Sequence, residues 1–100
     1  MRELSKSLRT NTKTKLEVLD LAENSLRDRG ALELSACIKI NKSLTTLNIR
    51  DNNIMMKGGA MLVSSMLLNR TIHTIKAEGN VFFIRYIDKL KSFSMRNAFL

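Results

Sequence analysis

The feature that most constrains this chain is a regular internal self-similarity. Three segments, which begin at the equally spaced residues Leu16, Leu44 and Ile72, follow one template of apolar residues and asparagine, LxxLxLxxNxL: LEVLDLAENSL, LTTLNIRDNNI and IHTIKAEGNVF. Every fixed position of the template holds an apolar residue or the asparagine, and Ala77 is the weakest fit. A repeat of 28 residues indicates stacked copies of one supersecondary unit, because a single copy cannot bury its apolar surface alone.

The spacing inside the template predicts a short strand followed by a tight turn. Leu19 and Leu21 alternate at the strand period of two, so both point to one buried side, while Val18 and Asp20 point to the other. An asparagine recurs where the chain leaves each strand, and its amide can bond backbone groups that a turn leaves without partners. We therefore expect a structural asparagine ladder with the members Asn24, Asn52 and Asn80.

The second half of each unit has the spacing of a helix with one apolar stripe. The equivalent positions are Gly30, Leu34, Ile38 and Asn41 in the first copy and Gly58, Leu62, Met66 and Asn69 in the second. Asp28 is placed to cap the first helix, whereas the same position in the second copy is Met56. We therefore expect the second helix to begin less firmly, by about 1 kcal/mol.

These segments resemble leucine-rich repeats, and a 28-residue period with a helix after each strand is similar to the ribonuclease-inhibitor-like subclass. The resemblance implies an α/β leucine-rich-repeat solenoid with parallel strands on the concave side and helices on the convex side. It also implies a family role in binding other proteins without catalysis. The predicted organisation is 1–15 as the end of a preceding or capping unit, 16–43 as repeat 1, 44–71 as repeat 2, and 72–100 as repeat 3 with a divergent helical C-terminal part.

The last repeat departs from the pattern at Tyr86, which replaces the helix-opening glycine, so we expect its loop to take another path. Asn97 and Leu100 return to the register of the earlier copies, and the chain therefore stops where a fourth strand would begin. Phe93 and Met95 make this end too apolar for a polar solenoid cap. We expect a fragment of a longer repeat protein, or a small subunit whose open C-terminal edge a partner covers.

The chain of 100 residues has 17 Lys and Arg against 9 Asp and Glu, a formal charge of +8, and the repeat register separates these charges. The strand windows 16–24, 44–52 and 72–80 carry −3, 0 and 0, so the excess lies on the ends, turns and helices. Basic charge of this kind fits an acidic partner such as RNA or a large acidic assembly. A solvated helix face is the simpler interpretation of the same residues.

Two surfaces follow from this register. The concave side is the first candidate for partner binding and holds Val18, Asp20, Thr46, Asn48, Arg50, Thr74, Lys76 and Glu78. Opposite charges at equivalent positions of different strands could instead only stabilise the sheet, by about 0.2 to 1 kcal/mol per pair. The predicted basic surface comprises Arg2, Lys6, Arg9, Lys13, Lys15, Arg27, Arg29 and Lys57.

The chain has few residues of the types that usually act in nucleophilic catalysis or zinc binding. The chain has one histidine, His73, and one cysteine, Cys37, and the register places them in different units. Nucleophilic catalysis needs a nucleophile, a base and an orienting group that converge, and zinc sites need several Cys or His ligands. We therefore predict that the chain is not an enzyme and uses no cofactor, metal or small-molecule substrate.

The sequence favours a non-catalytic protein-interaction module or scaffold within a larger assembly, and analogy with the family extends this to an axonemal or cytoskeletal one. The alternative is an RNA-associated subunit of a ribonucleoprotein particle, bound through its basic ends and convex face. The start of the chain lacks the apolar stretch of a secretory signal, and no apolar run approaches the ~18 residues of a membrane span. The predicted location is cytoplasmic, with cytoskeletal or ciliary sites as special cases and no membrane partner.

Overall fold

The computed structural model describes residues 17–98, in which short strands alternate with helices. In chain order the elements are β1 (Val18–Asp20), α1 (Arg27–Ile38), β2 (Thr46–Asn48), α2 (Met56–Leu68), β3 (Thr74–Lys76) and α3 (Phe83–Ala98). The three strands form one parallel sheet in the order β1-β2-β3. The α/β fold predicted from the repeat is therefore confirmed. The predictions for residues 1–15 and for Leu100 lie outside the described residues.

The register of the sheet is the repeat period itself. Val18 pairs with Thr46 and Thr46 pairs with Thr74, so partners on neighbouring strands are one repeat period apart. Burial fixes this register, because a slip by one residue would turn the apolar side of each strand toward solvent. Leu19 and Leu47 accordingly face the core, and β3 lies at the edge of the sheet.

The predicted asparagine ladder is confirmed and joins each turn to the next. The Oδ1 atom of the fully buried Asn52 accepts hydrogen bonds from the backbone N–H groups of Asn24 (2.8 Å) and Leu26 (3.2 Å). Its Nδ2 atom donates to the carbonyl oxygens of Leu21 and Ile49 in the two adjacent strand ends. Asn80 makes the equivalent bonds one repeat later, to the N–H groups of Asn52 and Ile54, among others. Asn24 itself is exposed at the start of the described ladder.

The turns after the strands use left-handed backbone at equivalent positions. The first left-handed residue is Glu23 (φ 58°) in the first turn, Asp51 (φ 55°) in the second and Gly79 (φ 78°) in the third. Two residues later the backbone is again left-handed at Ser25 (φ 50°) and Asn53 (φ 54°), but Val81 does not share this conformation. A β-branched side chain disfavours the left-handed region. The loop before the third helix therefore follows a different path, as expected.

One expectation about the helix starts was wrong. Asp28 does not cap its own helix, since α1 begins at Arg27 and has no side-chain cap. Its Oδ1 atom instead accepts a hydrogen bond of 2.7 Å from the backbone N–H of Met55, the residue that precedes α2. The carboxylate therefore supports the start of the helix that lacks a capping side chain of its own. The contact crosses from one repeat to the next.

Helices α1 and α2 pack closely because α2 has a glycine where they meet. A Cβ atom built on Gly58 would lie 2.8 Å from the Cα atom of Asp28 and 3.0 Å from the Cβ atom of Ala31. Both distances are shorter than ordinary van der Waals contact. The backbone of α1 therefore occupies the space that any other residue at position 58 would need.

Helix α3 packs against α2 less extensively than α2 packs against α1. Tyr86 occupies the position of Gly58 one repeat later, and its ring centroid lies 6.5 Å from that of the buried Phe82. Phe82 in turn packs directly over Gly59, where an added Cβ would collide with the ring. Aromatic side chains thus take the place of the close glycine contact, and within α3 Leu90 and Asn97 are the buried residues.

Candidate protein-binding surfaces

The strand face is the solvent side of the sheet and its continuation after each strand. It contains the eight residues proposed from the sequence as the concave binding surface: Val18, Asp20, Thr46, Asn48, Arg50, Thr74, Lys76 and Glu78. The strand pairing aligns six of them in two columns, one that starts at Val18 and one that starts at Asp20. Seven of the eight are exposed or half-buried, whereas Asn48 is buried with 7% of its surface accessible. The structure therefore brings the predicted residues together and leaves Asn48 little access to a partner.

Asp20 and Asn48 have a structural role that the sequence analysis missed. The Oδ1 atom of Asp20 accepts a hydrogen bond of 3.0 Å from the N–H of Ala22, two residues on. Asn48 accepts the equivalent bond from the N–H of Arg50 (3.2 Å) and a second bond from the Nε atom of the same arginine (3.3 Å). Short polar side chains of this kind hold a turn by bonding the backbone two residues later. Lys76 ends the column with a side chain that cannot accept such a bond.

The opposite charges on the strand face are not arranged as stabilising pairs. Asp20 and Lys76 are on β1 and β3, and two strand spacings place them about 9–10 Å apart. In the described part of the chain Arg50 forms no ion pair with Glu78, and its Nε atom bonds Asn48 instead. These four charges therefore remain available to a partner. Around them, Val18 and the threonines of the first column add small apolar surface.

The basic surface proposed from the sequence is only partly within the described residues. Arg27, Arg29 and Lys57 are exposed on the helix side. The members that lie outside residues 17–98 are Arg2, Lys6, Arg9, Lys13 and Lys15. Arg85 was not among the predicted members, although the repeat period places it one unit after Lys57.

Arg29, Lys57 and Arg85 form a basic ladder near the N-terminal ends of the three helices. All three side chains are exposed, and helices packed side by side are typically 8–10 Å apart. The partial positive charge of a helix N-terminus disfavours cations there, so helix stability does not explain these residues. The basic ladder could bind an anionic partner. The repeat period predicts its third member, Arg85, from the position of Lys57.

A second set of asparagines joins the C-terminal ends of the helices. The Nδ2 atom of Asn69 donates to the carbonyl oxygens of Ile38 (3.0 Å) and Asn41 (3.1 Å) in the preceding repeat. Asn97 donates in the same way to the carbonyl oxygens of Asn69 (3.2 Å) and Ile72 (2.7 Å). The bond to Ile38 satisfies a carbonyl group at the end of α1, and the other three bonds satisfy carbonyl groups of the loops that follow α1 and α2.

Arg96 adds a further link between α3 and the end of α2. Its guanidinium donates to the carbonyl oxygens of Met66 (3.1 Å), Leu67 (3.2 Å) and Asn69, and it lies 5.2 Å from the ring centroid of Phe93. Burial, and then the neighbouring charge of Arg70, lowers the pKa of the Arg96 guanidinium. An arginine remains protonated at neutral pH even so, and it can donate all of these bonds.

An open groove lies at the β3 edge, between the strand and α3. Its volume is about 370 Å³, and its lining is mainly apolar. Ile75, Phe83 and Ile87 contribute to this lining, together with the polar side chains of Lys91 and Ser94. In the earlier units the next repeat covers the corresponding surface. The groove is therefore an open, mainly apolar surface at one edge of the described sheet.

The described residues do not assemble a reactive centre. Cys37 is fully buried in α1, whereas His73 is exposed before β3 with its Nδ1 atom 3.1 Å from the Oγ1 atom of Thr74. Residues 17–98 contain no group of three or more His, Cys, Asp or Glu residues that could hold a metal ion. None of the helices in the same range combines the length and the apolar character needed to cross a membrane.

The described residues form a solenoid of stacked strand–helix units with exposed polar surfaces. Residues 12–35 and 41–63 each match the family model described as Leucine Rich repeat. No curated protein matches the chain. These two segments are leucine-rich repeats, a family whose members generally mediate contacts between proteins and are typically non-catalytic. The period and the helix in each unit are compatible with the ribonuclease-inhibitor-like subclass.

Proposed function

We propose that this chain is a non-catalytic interaction module that binds another protein through the strand face. The observation that carries the proposal is the row of outward side chains on a sheet whose other side is the core. Val18 is 58% exposed, and Asp20, Arg50, Lys76 and Glu78 are also exposed. The paired strands hold these side chains at fixed spacing, which lowers the entropic cost of binding.

The strand face fits a partner surface of mixed polarity. Its charges alternate in sign, and they do not neutralise each other within the molecule. Each carboxylate or cation can therefore pair with a group on the partner, which supports specificity more than affinity. The small side chains of Thr46 and Thr74 allow the partner backbone to approach the sheet.

We further propose that the module acts as a scaffold or subunit within a larger assembly, in which a partner covers the C-terminal edge. The apolar groove beside β3 supports this part of the proposal, because the equivalent surface is buried in the earlier units. The basic helix side would suit an acidic surface such as that of a microtubule. This complementarity is the support for a cytoplasmic, axonemal or cytoskeletal location.

RNA is the second candidate partner, favoured by the basic ladder of Arg29, Lys57 and Arg85. Surfaces that read single-stranded RNA also stack bases on exposed aromatic rings. In the described residues Phe82 is buried, and Phe83, Tyr86 and Phe93 are half-buried. RNA binding through several phosphates would weaken steeply between about 50 and 200 mM salt. Retention on immobilised RNA that disappears with a Lys57→Glu substitution would favour this candidate.

A photo-crosslinking experiment tests the strand face. The photoreactive residue benzoylphenylalanine is placed at Thr46 on the strand face or, as the matched control, at the exposed Ser64 on α2. We expect position 46 to crosslink one protein reproducibly in cell extract and position 64 not to do so. The identified protein is then purified and titrated with the native chain and with Lys76→Glu. Equal crosslinking at both positions, or unchanged affinity of the Lys76→Glu variant, would contradict the proposal.

A further inference from the structure

The C-terminal ends of the helices carry a cluster of exposed apolar side chains that the strand-face proposal does not use. Each of these side chains has more than half of its surface accessible: Ile40, Leu67, Leu68 and Met95. They occur at equivalent repeat positions, since Ile40 and Leu68 are one repeat period apart, as are Leu67 and Met95. Neighbouring helices therefore place them next to one another. Together with Lys39, Lys42, Arg70 and Arg96 we call them the helix-end surface.

Hydrogen bonds hold the helix ends in one continuous row. Asn69 bonds the carbonyl oxygen of Asn41 at 3.1 Å, which fixes the end of α2 against the end of α1. Arg96 bonds the carbonyl oxygen of Leu67 at 3.2 Å, which fixes α3 to the same end of α2. The apolar side chains thus project from a braced backbone, so a partner would meet a preformed surface.

Every charged residue of this row is basic. The segments 39–43, 67–71 and 95–98 contain four Lys or Arg residues and no Asp or Glu, a formal charge of +4. Cations near helix C-termini offset the negative end of the helix dipole, which gives them a structural reason. The exposed apolar residues gain no such stabilisation from the helix dipole, since they carry no charge. Contiguous apolar surface with a charged rim is typical of interaction sites.

We propose that the helix-end surface binds an acidic, amphipathic segment of another protein, one that carries large apolar side chains between carboxylates. Its apolar side chains would pack on Leu67 and Leu68, and its carboxylates would meet Lys42 and Arg70, which are exposed. The single-sign charge selects an acidic partner. An anionic bilayer shares this charge, but membrane-contact surfaces usually place Trp or Tyr at the headgroup level, and none of these eight residues is aromatic. The proposal does not depend on the strand face.

The first test uses model probes on the native chain. The probe is a fluorescent peptide of about 20 residues, long enough for a helix, that contains leucine and glutamate in helical spacing. We expect it to bind in an anisotropy titration, and the matched leucine–lysine and serine–glutamate peptides to bind at least about tenfold more weakly. Vesicles of phosphatidylcholine with phosphatidylserine serve as the lipid arm. Binding to these vesicles in preference to the leucine–glutamate peptide would overturn the proposal, as would equal binding of all three peptides.

The second test uses substitutions to locate the peptide-binding site on the chain. A Leu67→Ser/Leu68→Ser variant should weaken binding of the leucine–glutamate peptide by about tenfold or more. Lys42→Ser/Arg70→Ser should weaken it and reduce its dependence on salt. The matched control is Ile84→Ser, an 85% exposed apolar residue at the opposite end of a helix, which should bind normally. An equal loss with Ile84→Ser would contradict the site.

A measurement on the unmodified chain avoids dependence on how the variants fold. Backbone amide resonances are recorded with and without the leucine–glutamate peptide. The largest changes should fall in segments 39–43, 67–71 and 95–98. Changes centred on the strand face, or distributed over the whole chain, would overturn the proposed site.

Discussion

The contact between α1 and α2 and the contact between α2 and α3 occupy equivalent places in the solenoid but are built differently. At the first, Gly58 lets the two backbones approach closely. At the second, Tyr86 takes the glycine position with its ring 6.5 Å from that of Phe82, and α3 packs against α2 less extensively. The strand pairing is the same on both sides. The strands and turns thus keep strict periodicity, because they bond directly to their copies, while the helices tolerate divergence.

The second contact is reinforced at its end in a way that the first is not. Arg96 extends from α3 to three carbonyl oxygens around the end of α2. The residue one repeat earlier is Leu68, which is exposed and has no such capacity. Where helix packing is looser, hydrogen bonding from a long side chain therefore replaces part of it. The periodic turns and the divergent helices are therefore expected to contribute differently to the free energy of unfolding.

The largest effect is expected from the turn ladder. Asn52→Ala removes a fully buried amide and takes away the partner of the N–H groups of Asn24 and Leu26 and of the carbonyl oxygen of Leu21. Each unsatisfied buried group costs about 1–3 kcal/mol, so we expect the free energy of unfolding to fall by about 3–4 kcal/mol. Urea denaturation followed by circular dichroism measures the change.

The matched control for this substitution is Asn24→Ala. Asn24 is exposed, and its amide donates only to the carbonyl oxygen of Ala22 among the bonds described. We expect its loss to cost less than about 1 kcal/mol. Similar costs for the two substitutions would show that the ladder bonds contribute little beyond the local turn.

The next effect concerns the close helix contact. Gly58→Ala places a methyl group 2.8 Å from the Cα atom of Asp28, which cannot move without shifting α1. Overpacking of this kind outweighs the helix propensity gained, and we expect a net loss of about 2 kcal/mol. The control Ser64→Ala, on the exposed side of the same helix, should be neutral or slightly stabilising. Stabilisation by Gly58→Ala would show that the helices are not in close contact at this point.

Arg96→Leu replaces the arginine by the residue type found one repeat earlier, at Leu68. It removes hydrogen bonds to the end of α2, and we expect a loss of about 1.5 kcal/mol. Amide hydrogen exchange should become faster mainly in α3, because the strands and the first helix contact are unchanged. Uniformly faster exchange would mean that α3 does not loosen separately. Arg96→Lys should also be destabilised, since one ammonium group cannot reproduce the fork of donors.

The sequence predicted the contacts that join equivalent positions of neighbouring repeats. Strand pairing, the buried side of each strand and the asparagine ladder all connect residues one repeat period apart, so comparing the copies predicts the contact. The eight strand-face residues were found in the same way. One of them, Asn48, is buried, and its hydrogen bonds with Arg50 are local contacts that do not appear in the periodic pattern.

The contacts that the sequence did not predict join residues at unequal positions in adjacent units. Asp28 bonds the N–H of Met55 in the next unit rather than one in its own helix, and capping rules consider only the local chain. Arg96 bonds carbonyl oxygens of the chain backbone, which every residue carries, so composition gives no signal for its targets. The helix-end surface also escaped notice, because exposure of an apolar residue depends on how many neighbours the fold places beside it.

The smallest effect is expected at Asp28, where the wrong capping prediction can be tested directly. Asp28→Ala removes the acceptor for the N–H of Met55, and we expect a loss of about 1 kcal/mol, the usual value for a capping residue. If the carboxylate acts across the repeat, the loss should loosen the start of α2, with faster amide exchange at the first residues of that helix. Action on its own helix would instead speed exchange at the start of α1. Asp28→Asn should retain most of the stability, because its amide oxygen can still accept the bond.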